Sequence, residues 1–191
     1  MEIANLKVYN DNMRKSLLDK AYFLSFVDSD TFIDSGCADG SLLKHIHEMF
    51  PDKKLIGYDI SPEMLQVAEK NLEGCNVSLY NNFENVISLK LDNATLILSS
   101  VIHEVYSYGD NQSVNEFWRQ VFNENFRYIA IRDLTPRKSI DRMSDINDVS
   151  RVLHNANPTH LAEFQSIWGN ISNNKNLVHF LDRKSTRLNS S

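Results

Sequence analysis

The chain has 191 residues, 42% of them hydrophobic, and a formal net charge of −5. This predicts one globular domain with a sizeable core, and the acidic balance argues against a protein that binds nucleic acid over its whole surface. No stretch reaches the roughly 20 apolar residues of a membrane span, and the first 16 residues lack the apolar segment typical of a signal peptide. The two cysteines form no CxxC pair, so we expect a soluble, cytoplasmic protein.

The first predicted element is an amphipathic helix over residues 11–27, where apolar residues recur largely at helical spacing. Two short apolar strands then alternate with two amphipathic helices, over residues 31–35, 41–50, 54–60 and 62–72. Ser61 and Pro62 favour the start of the second of these helices, because serine caps a helix and proline suits its first position. This alternation predicts parallel strands with helical crossovers.

The turn after the first strand has the composition of a ligand-binding loop. Gly36 and Gly40 permit a sharp bend and a close approach of ligand, because glycine has no Cβ atom. The following helix directs unpaired N–H groups toward that ligand. Asp59 ends the second strand, where a carboxylate can accept hydrogen bonds from both hydroxyls of a ribose. Alternatively, the glycines only turn the chain and Asp59 caps the next helix.

The glycine pattern argues against a dinucleotide as the ligand. A dinucleotide fingerprint would place glycine at positions 36, 38 and 41, and the chain has Gly36, Ala38 and Ser41 there. A nicotinamide-dependent oxidoreductase is therefore disfavoured, and the nucleoside must belong to another ligand.

The run DSGCADG, from Asp34 to Gly40, resembles the first motif of class I S-adenosylmethionine-dependent methyltransferases, an acidic residue followed by Gly-x-Gly-x-Gly. Asp59 matches the acidic second motif of that family, and the resemblance covers about residues 1–135. It implies a doubly wound, Rossmann-like α/β fold, with a mostly parallel sheet in a three-layer α/β/α sandwich. It also implies S-adenosyl-L-methionine as the cofactor. Ala38 stands where the family usually has glycine, and its methyl group would crowd the methionine part of the ligand.

The resemblance also assigns residues to the cofactor. Asp34 would orient the turn or reach the amino group of the ligand, Asp59 would hold the ribose, and an amide and an aromatic ring after the third strand would contact the adenine. The implied cofactor-binding residues are Asp34, Gly36, Cys37, Ala38, Gly40, Asp59, Ile60, Asn82, Phe83 and Ser99. An Asn-rich turn with Phe83 packed in the core is an equal alternative. The entry helix either lines the cleft through Tyr9, Met13 and Lys20, or buries Met13 and leaves Lys20 in solvent.

The fourth predicted strand, residues 93–100, is nearly continuous in apolar residues and so is buried on both faces. His103 and Glu104 follow it, at the end of the strand where open α/β sheets bind their ligands. In the resembled family this segment faces the substrate, which makes these two residues the candidate general bases. A structural His and Glu pair is the alternative.

The remaining predicted elements follow in order. A capping box at Ser113 begins a helix to about residue 125, with Phe117, Val121 and Phe122 inward. Further elements are a fifth strand at 128–131, a helical insertion at 137–170 and a sixth strand at 176–181. The last antiparallel edge strand of the family is missing, and we predict that residues 1–181 form the domain and that residues 182–191 are a non-native tail.

The leading functional prediction is methyl transfer to an unidentified acceptor, and the alternative is a non-catalytic, methyltransferase-like module that binds a nucleoside or a partner. A small molecule is the favoured acceptor and RNA is the second, with no membrane partner and no metal. Aromatic residues that suit a small molecule are Tyr106, Tyr108, Trp118 and Trp168. Basic residues that suit an anionic substrate or RNA are Lys7, Arg14, Lys15, Arg132, Arg137 and Lys138. An acidic stripe at Asp141, Asp145 and Asp148 is interpreted as a solvated helix face.

Overall fold

The computed structural model describes residues 17–133 and 138–187. These residues form two compact units, 17–133 and 138–187, which are described separately. Much of the predicted entry helix lies outside the described residues. Its described part consists of helix α1 (Leu17–Lys20) and a 3₁₀ turn (Tyr22–Ser25). The assignment of residues 1–181 to one domain stays a prediction.

The first unit is built on a sheet of five parallel strands in the order β3-β2-β1-β4-β5. The strands are β1 (Thr31–Ser35), β2 (Lys54–Tyr58), β3 (Val77–Tyr80), β4 (Ala94–Ser99) and β5 (Tyr128–Arg132). The side on which successive strands join the sheet changes at β1. Strands β2 and β3 lie on one side of β1, and β4 and β5 lie on the other. The doubly wound, parallel sheet predicted from the sequence is confirmed.

Helices cover both faces of this sheet, in three layers as predicted. They are α2 (Ser41–Met49), α3 (Pro62–Asn71), α4 (Phe83–Ile87), α5 (Ile102–Tyr108) and α6 (Asn111–Asn123). Neighbouring residues of β1 show the division, because successive side chains of a strand point to opposite faces. Phe32 packs in one cluster with Leu43 of α2, whereas Ile33 packs in the other with Val86 of α4 and Val121 of α6. Each fully buried aliphatic side chain of this kind contributes about 1.5–3 kcal/mol to stability.

Helix α6 begins earlier than the sequence pattern predicted. Its N-cap is Asp110, whose Oδ1 accepts hydrogen bonds from the Ser113 backbone N–H and from the Ser113 hydroxyl, both at 2.7 Å. The prediction that Ser113 caps this helix is therefore wrong. Val121 is buried as predicted, but Phe122 is 67% exposed, because the next residue in a helix lies about 100° further round its axis.

The second unit contains three helices among residues 138–187, α7 (Ile146–Asn155), α8 (Pro158–Trp168) and α9 (Asn174–Arg187). The prediction of a sixth strand at 176–181 is wrong, because that segment lies inside α9. Leu177 and Phe180, three residues apart, share one helix face and pack with Phe164 and Ile171. In a strand they would have pointed to opposite faces.

The reversal at β1 brings several strand ends together. In the register of the sheet Ser35 lies beside Leu98 and Ser99 lies beside Arg132, so the carboxyl ends of β1, β4 and β5 are level. Open α/β sheets bind ligands outside the carboxyl ends of their strands at such a switch point. The functional site is therefore expected at this edge.

Candidate active site at the carboxyl edge of the sheet

The turn between β1 and α2 needs glycine at both predicted positions. Gly36 has φ +77° and Gly40 has φ +74°, in the left-handed region that favours glycine. A Cβ atom at Gly36 would lie 2.6 Å from Cγ2 of Val101, and one at Gly40 would lie 2.6 Å from Cδ1 of Leu72. The backbone of Gly36 donates a hydrogen bond of 2.7 Å to the carbonyl of Tyr58, which holds the turn against the end of β2.

Ala38 has φ +47°, so it adopts the left-handed conformation with a side chain that disfavours it. The strain of such a residue is about 1–2 kcal/mol. Its N–H donates a 2.9 Å hydrogen bond to Oδ2 of Asp59, which keeps the strained residue in place. The family's preference for glycine at this position thus has a local conformational reason, besides the space that the ligand needs.

We expect the variant Ala38→Gly to be more stable than the parent chain by about 1 kcal/mol, because relief of the left-handed strain exceeds the entropy cost of a more flexible unfolded chain. Urea unfolding followed by Trp118 fluorescence, in a Trp168→Phe background, measures the change in the first unit. The control Gln66→Gly adds a glycine at an exposed position inside α3 and should lose about 1 kcal/mol. A loss of stability in Ala38→Gly would contradict the strain argument.

The Asp59 carboxylate joins the turn to the next helix. Its Oδ1 accepts from the N–H of Ser61 and its Oδ2 accepts from the N–H of Ala38, each at 2.9 Å. Each carboxylate oxygen can accept a second hydrogen bond. Burial raises the pKa of Asp59, and the two N–H donors oppose that rise. Asp59 therefore fastens the glycine turn to Ser61, but the residue that caps α3 is Ser61 itself and not Asp59, as the alternative had it. The Asp59 carboxylate keeps acceptor capacity for two ligand hydroxyls. Ile60 beside it is 80% exposed, so an apolar surface adjoins the carboxylate.

A small cavity of about 20 Å³ lies beside the glycine turn. Lys20, Asp34 and Ser99 line it, and all three are at least 92% buried. Burial raises the pKa of Asp34 to about 7, opposed by the charge of Lys20, and burial likewise lowers the pKa of Lys20. The Ser99 hydroxyl is buried and has no hydrogen-bond partner among the described residues. A buried hydroxyl of this kind calls for a ligand or water partner.

Lys20 thus lines the cavity, as one of the two sequence interpretations predicted, and does not lie in solvent. Tyr9 and Met13, which the same interpretation placed beside it, lie outside the described residues. Cys37 offers the site only its backbone: its side chain is buried, and burial raises the pKa of its thiol above the usual range.

The two candidate adenine residues have structural partners. Phe83 is 8% exposed, and its ring lies 5.4 Å from that of Tyr58 in the core, as the alternative interpretation predicted. Asn82 is exposed and caps α4, because its Oδ1 accepts a 2.8 Å hydrogen bond from the N–H of Glu84. The amide nitrogen of Asn82 remains as the group that would donate to an adenine ring nitrogen.

His103 and Glu104 lie in the first turn of α5, after the end of β4. The ring Nδ1 of His103 lies 2.6 Å from Oδ1 of Asp133, and the backbone N–H of His103 donates to Oδ2 of Asp133 at 3.2 Å. Glu104 is exposed. Asp133 directly follows β5, 30 residues after His103 in the chain, and it was not among the residues predicted for the site.

A family model for a methyltransferase domain matches residues 27–172. The chain belongs to this methyltransferase family. The match covers the glycine turn, Asp59 and the His103 segment, and it extends through α8. The family resemblance predicted from the motifs is therefore confirmed. A separate comparison with curated proteins found no match to the chain.

Several solved structures are similar to this methyltransferase-family chain, and the first described here, with a TM-score above 0.5, shows the same fold. The plantazolicin methyltransferase BamL, in complex with a triazolic desmethyl analog and SAH, has a TM-score of 0.51 and 17% identity over 81% of this chain and 56% of that one. The methyltransferase BpumL has a TM-score of 0.49 and 16% identity, over 92% and 60%. The methyltransferase domain of bacterial CtHen1-C has a TM-score of 0.44 and 18% identity, over 56% and 57%. The chain thus spans between 56% and 59% of the length of the first three structures matched.

Two of the three acidic residues predicted as a solvated helix face have ordinary helix roles in the second unit, and the third, Asp141, is exposed in a turn before α7. Asp145 caps α7 by accepting from the N–H of Asn147 at 2.8 Å, and exposed Asp148 lies 3.9 Å from Arg151. Within residues 17–133 and 138–187, no group of three or more His, Cys, Asp or Glu side chains is placed to hold a metal ion. Over the same ranges, no helix is both long enough and apolar enough to cross a bilayer.

Proposed function

We propose that this chain transfers a methyl group from S-adenosylmethionine to an acceptor, with a small molecule as the favoured class. The observation that supports this most is the Asp59 carboxylate, which is fastened to the glycine turn and keeps acceptor capacity for the two hydroxyls of a ribose. SAH, the product left by such a donor, is present in the structure of BamL. That neighbour adds support for the cofactor.

The residues at the edge of the sheet fit the methionine part of this cofactor. Gly36 and Gly40 allow the left-handed backbone of the turn on which the ligand would lie. Asp34 would face the ammonium group, Lys20 supplies a cation for the carboxylate, and the Ser99 hydroxyl would gain a hydrogen-bond partner. Cys37 and Ala38 would contribute backbone. Buried groups of both signs suit a zwitterionic ligand, because each ligand charge then has a partner.

The adenosine part would lie over the end of β2. Asp59 would hold the ribose, the exposed side chain of Ile60 would lie against the adenine, and Asn82 would donate from its amide nitrogen. Phe83 would not contact the adenine itself but would hold the Tyr58 ring in position by packing against it. These roles match the predicted set of residues, with Phe83 changed from a contact to a support.

When bound, the cofactor supplies a methyl group already activated by its sulfonium. The protein then has to hold the acceptor in line at reacting distance, and positioning of this kind accounts for a large part of catalysis in such reactions. His103, at the carboxyl end of β4, is the proposed general base, and exposed Glu104 beside it would contact the acceptor.

The predicted basic surface gives little support to RNA as the acceptor. The Arg132 guanidinium donates to Asp19 at 2.5 and 2.7 Å and to the Ser100 hydroxyl at 3.1 Å, so it is paired within the first unit. Lys138 is exposed in the second unit, and the other four predicted cations, Lys7, Arg14, Lys15 and Arg137, lie outside the described residues. A small molecule therefore stays the favoured acceptor.

Calorimetric titration of the purified chain with S-adenosylmethionine and with SAH tests the proposal. We expect saturable, one-to-one binding of both in the micromolar range, and none of a nicotinamide dinucleotide. A folded chain that binds neither compound would refute the cofactor assignment. Binding without methyl transfer to any acceptor in a broad panel would favour the non-catalytic module.

The affinity for SAH should rise with pH. Burial raises the pKa of Asp34 to about 7, so in the free chain its carboxyl is mostly neutral at pH 6 and mostly ionised at pH 8. The ligand ammonium favours the ionised form, so we expect binding to strengthen by roughly tenfold over this range. Titrations at the two values measure the change, and Asp34→Asn should remove most of it. An equal pH dependence in both chains would contradict this role for Asp34.

A further inference from the structure

Helix α1 forms one wall of the small cavity beside the glycine turn, through Leu17 and Lys20. The cavity has a volume of about 20 Å³, which is enough for about one water molecule. The amino-acid end of the proposed cofactor has an ammonium group, a carboxylate and a carbon chain, so it is several times larger than a water molecule. The cavity therefore has to widen before this part of the cofactor can enter.

The other walls of the cavity are held more firmly than α1. Asp34 and Ser99 lie in β1 and β4, which have a paired strand on each side. The glycine turn is bonded to the end of β2. Helix α1 has only four residues, too few to be stable without tertiary contacts, and its Leu18 is 80% exposed. Phe23, which follows α1, is buried against the core. We therefore expect α1 to move about the anchored Phe23.

A side chain of β5 fastens α1 over the cavity. Two guanidinium nitrogens of Arg132 donate to Oδ2 of Asp19, at 2.5 and 2.7 Å. Ser100 keeps Arg132 in place, because its hydroxyl accepts a 3.1 Å hydrogen bond from the third nitrogen and its N–H donates to the Arg132 carbonyl at 2.8 Å. The side chains of Arg132 and Asp19 are 30% and 69% exposed. Water competes for an ion pair of this exposure, so the pair can open and close.

We propose that Asp19 and Arg132 form a latch. While they are paired, α1 keeps the cavity too small for the cofactor, and the cofactor enters after the pair has separated. This inference rests on the proposed methyltransferase function. Arg132 is thus a positioning residue, which acts through α1 and not on the ligand itself. When α1 moves outward, the flexible four-carbon stem of Lys20 lets its ammonium group stay close to the ligand carboxylate.

Two variants weaken the latch and change the charge in opposite directions. Arg132→Met removes a positive charge, and Asp19→Asn removes a negative one. Because a ligand that binds only the open form associates in proportion to the population of that form, both variants should bind SAH faster than the parent. We expect the association rate constant to rise roughly threefold to fivefold, the range for an exposed ion pair. Surface plasmon resonance on the immobilised chain measures the rate constants.

The matched control is Arg119→Met, which makes the same change of charge. Arg119 pairs with Glu116 at 2.6 Å on the exposed side of α6, away from the cavity, so this variant should bind SAH at the parent rate. If the two charges of the latch only steered the ligand, the two latch variants would change the association rate constant in opposite directions. Such opposite effects, or no increase in either variant, would overturn the proposal.

Hydrogen exchange of the free chains tests the latch without a ligand. The N–H of Ala21 donates to the Leu17 carbonyl at 3.0 Å, and a four-residue helix released from the sheet does not persist, so this N–H reports the opening of α1. Exchange that is roughly threefold to fivefold faster in both latch variants than in the parent supports the proposal, and equal exchange overturns it. A parent chain that binds no SAH would instead refute the proposed function, and the exchange rates would still decide the latch.

Discussion

Asp59→Asn is expected to weaken SAH binding about 100-fold, or roughly 2.7 kcal/mol, because hydrogen bonds to a charged group contribute about 1.5–3 kcal/mol. In the parent chain each Asp59 oxygen accepts one backbone N–H, from Ser61 or Ala38, and has capacity for one ribose hydroxyl. Asparagine keeps one oxygen. The amide nitrogen of the new asparagine would then face the backbone N–H of either Ser61 or Ala38. Both groups are hydrogen-bond donors, so that hydrogen bond is lost. Calorimetric titration with SAH measures the loss.

The matched control for this variant is Asp30→Asn. Asp30 also accepts two hydrogen bonds, from Lys53 and Asn93, but it lies at the start of β1 and not at its carboxyl end. Its affinity for SAH should equal that of the parent. Circular dichroism should show a folded Asp59→Asn chain, with a stability loss of about 1–3 kcal/mol for the disturbed turn. Unchanged SAH affinity in a folded Asp59→Asn chain would refute the ribose assignment.

The sheet could be predicted because its determinants are local. Each strand is a short apolar run, and the turn at Gly36 and Gly40 and the start of α3 at Ser61 are specified by residues within a few positions of one another. Glycine is required at both turn positions by backbone conformation and by the space around them. Local rules of this kind are readable from a sequence without tertiary contacts.

Two of the three differences lie where tertiary contacts decide the structure. The segment at 176–181 is short and apolar, which fits a strand as well as a helix. In the structure it lies inside α9, where Leu177 and Phe180 pack on Phe164 and Ile171. Phe83 is as compatible with a ligand contact as with the core, and the Tyr58 ring beside it decides for the core. The third difference is local: Asp110 and Ser113 are both residue types that favour an N-cap, and the structure uses Asp110 as the N-cap of α6.

The pairing of Asp133 with His103 could not be read from the sequence, because 30 residues and one crossover separate the two. A sequence places each residue after its own strand, but the strand order that makes β4 and β5 neighbours is a property of the fold. The burial of Lys20 could not be predicted from the sequence for the same reason. Its burial depends on Asp34 and on cavity walls that lie far along the chain.

Gly36→Ala is expected to cost about 2–4 kcal/mol of unfolding free energy, from left-handed strain and from overpacking. The added Cβ atom would lie 2.6 Å from Cγ2 of Val101. Valine is branched at Cβ and has few rotamers, so it cannot easily move that methyl group away. Urea unfolding followed by Trp118 fluorescence, in a Trp168→Phe background, reports the loss in the first unit.

Gly74→Ala separates the two causes of this loss. Gly74 has φ +82°, close to that of Gly36, but an added Cβ atom there would meet nothing within 4 Å. It should therefore show the conformational strain alone, about 1–2 kcal/mol. In Gly36→Ala with Val101→Ala the clash is gone, so the double variant should be about 1–2 kcal/mol more stable than the sum of the single effects predicts. Equal losses in Gly36→Ala and Gly74→Ala would mean that Val101 moves aside, and that conformation alone makes Gly36 necessary in the turn.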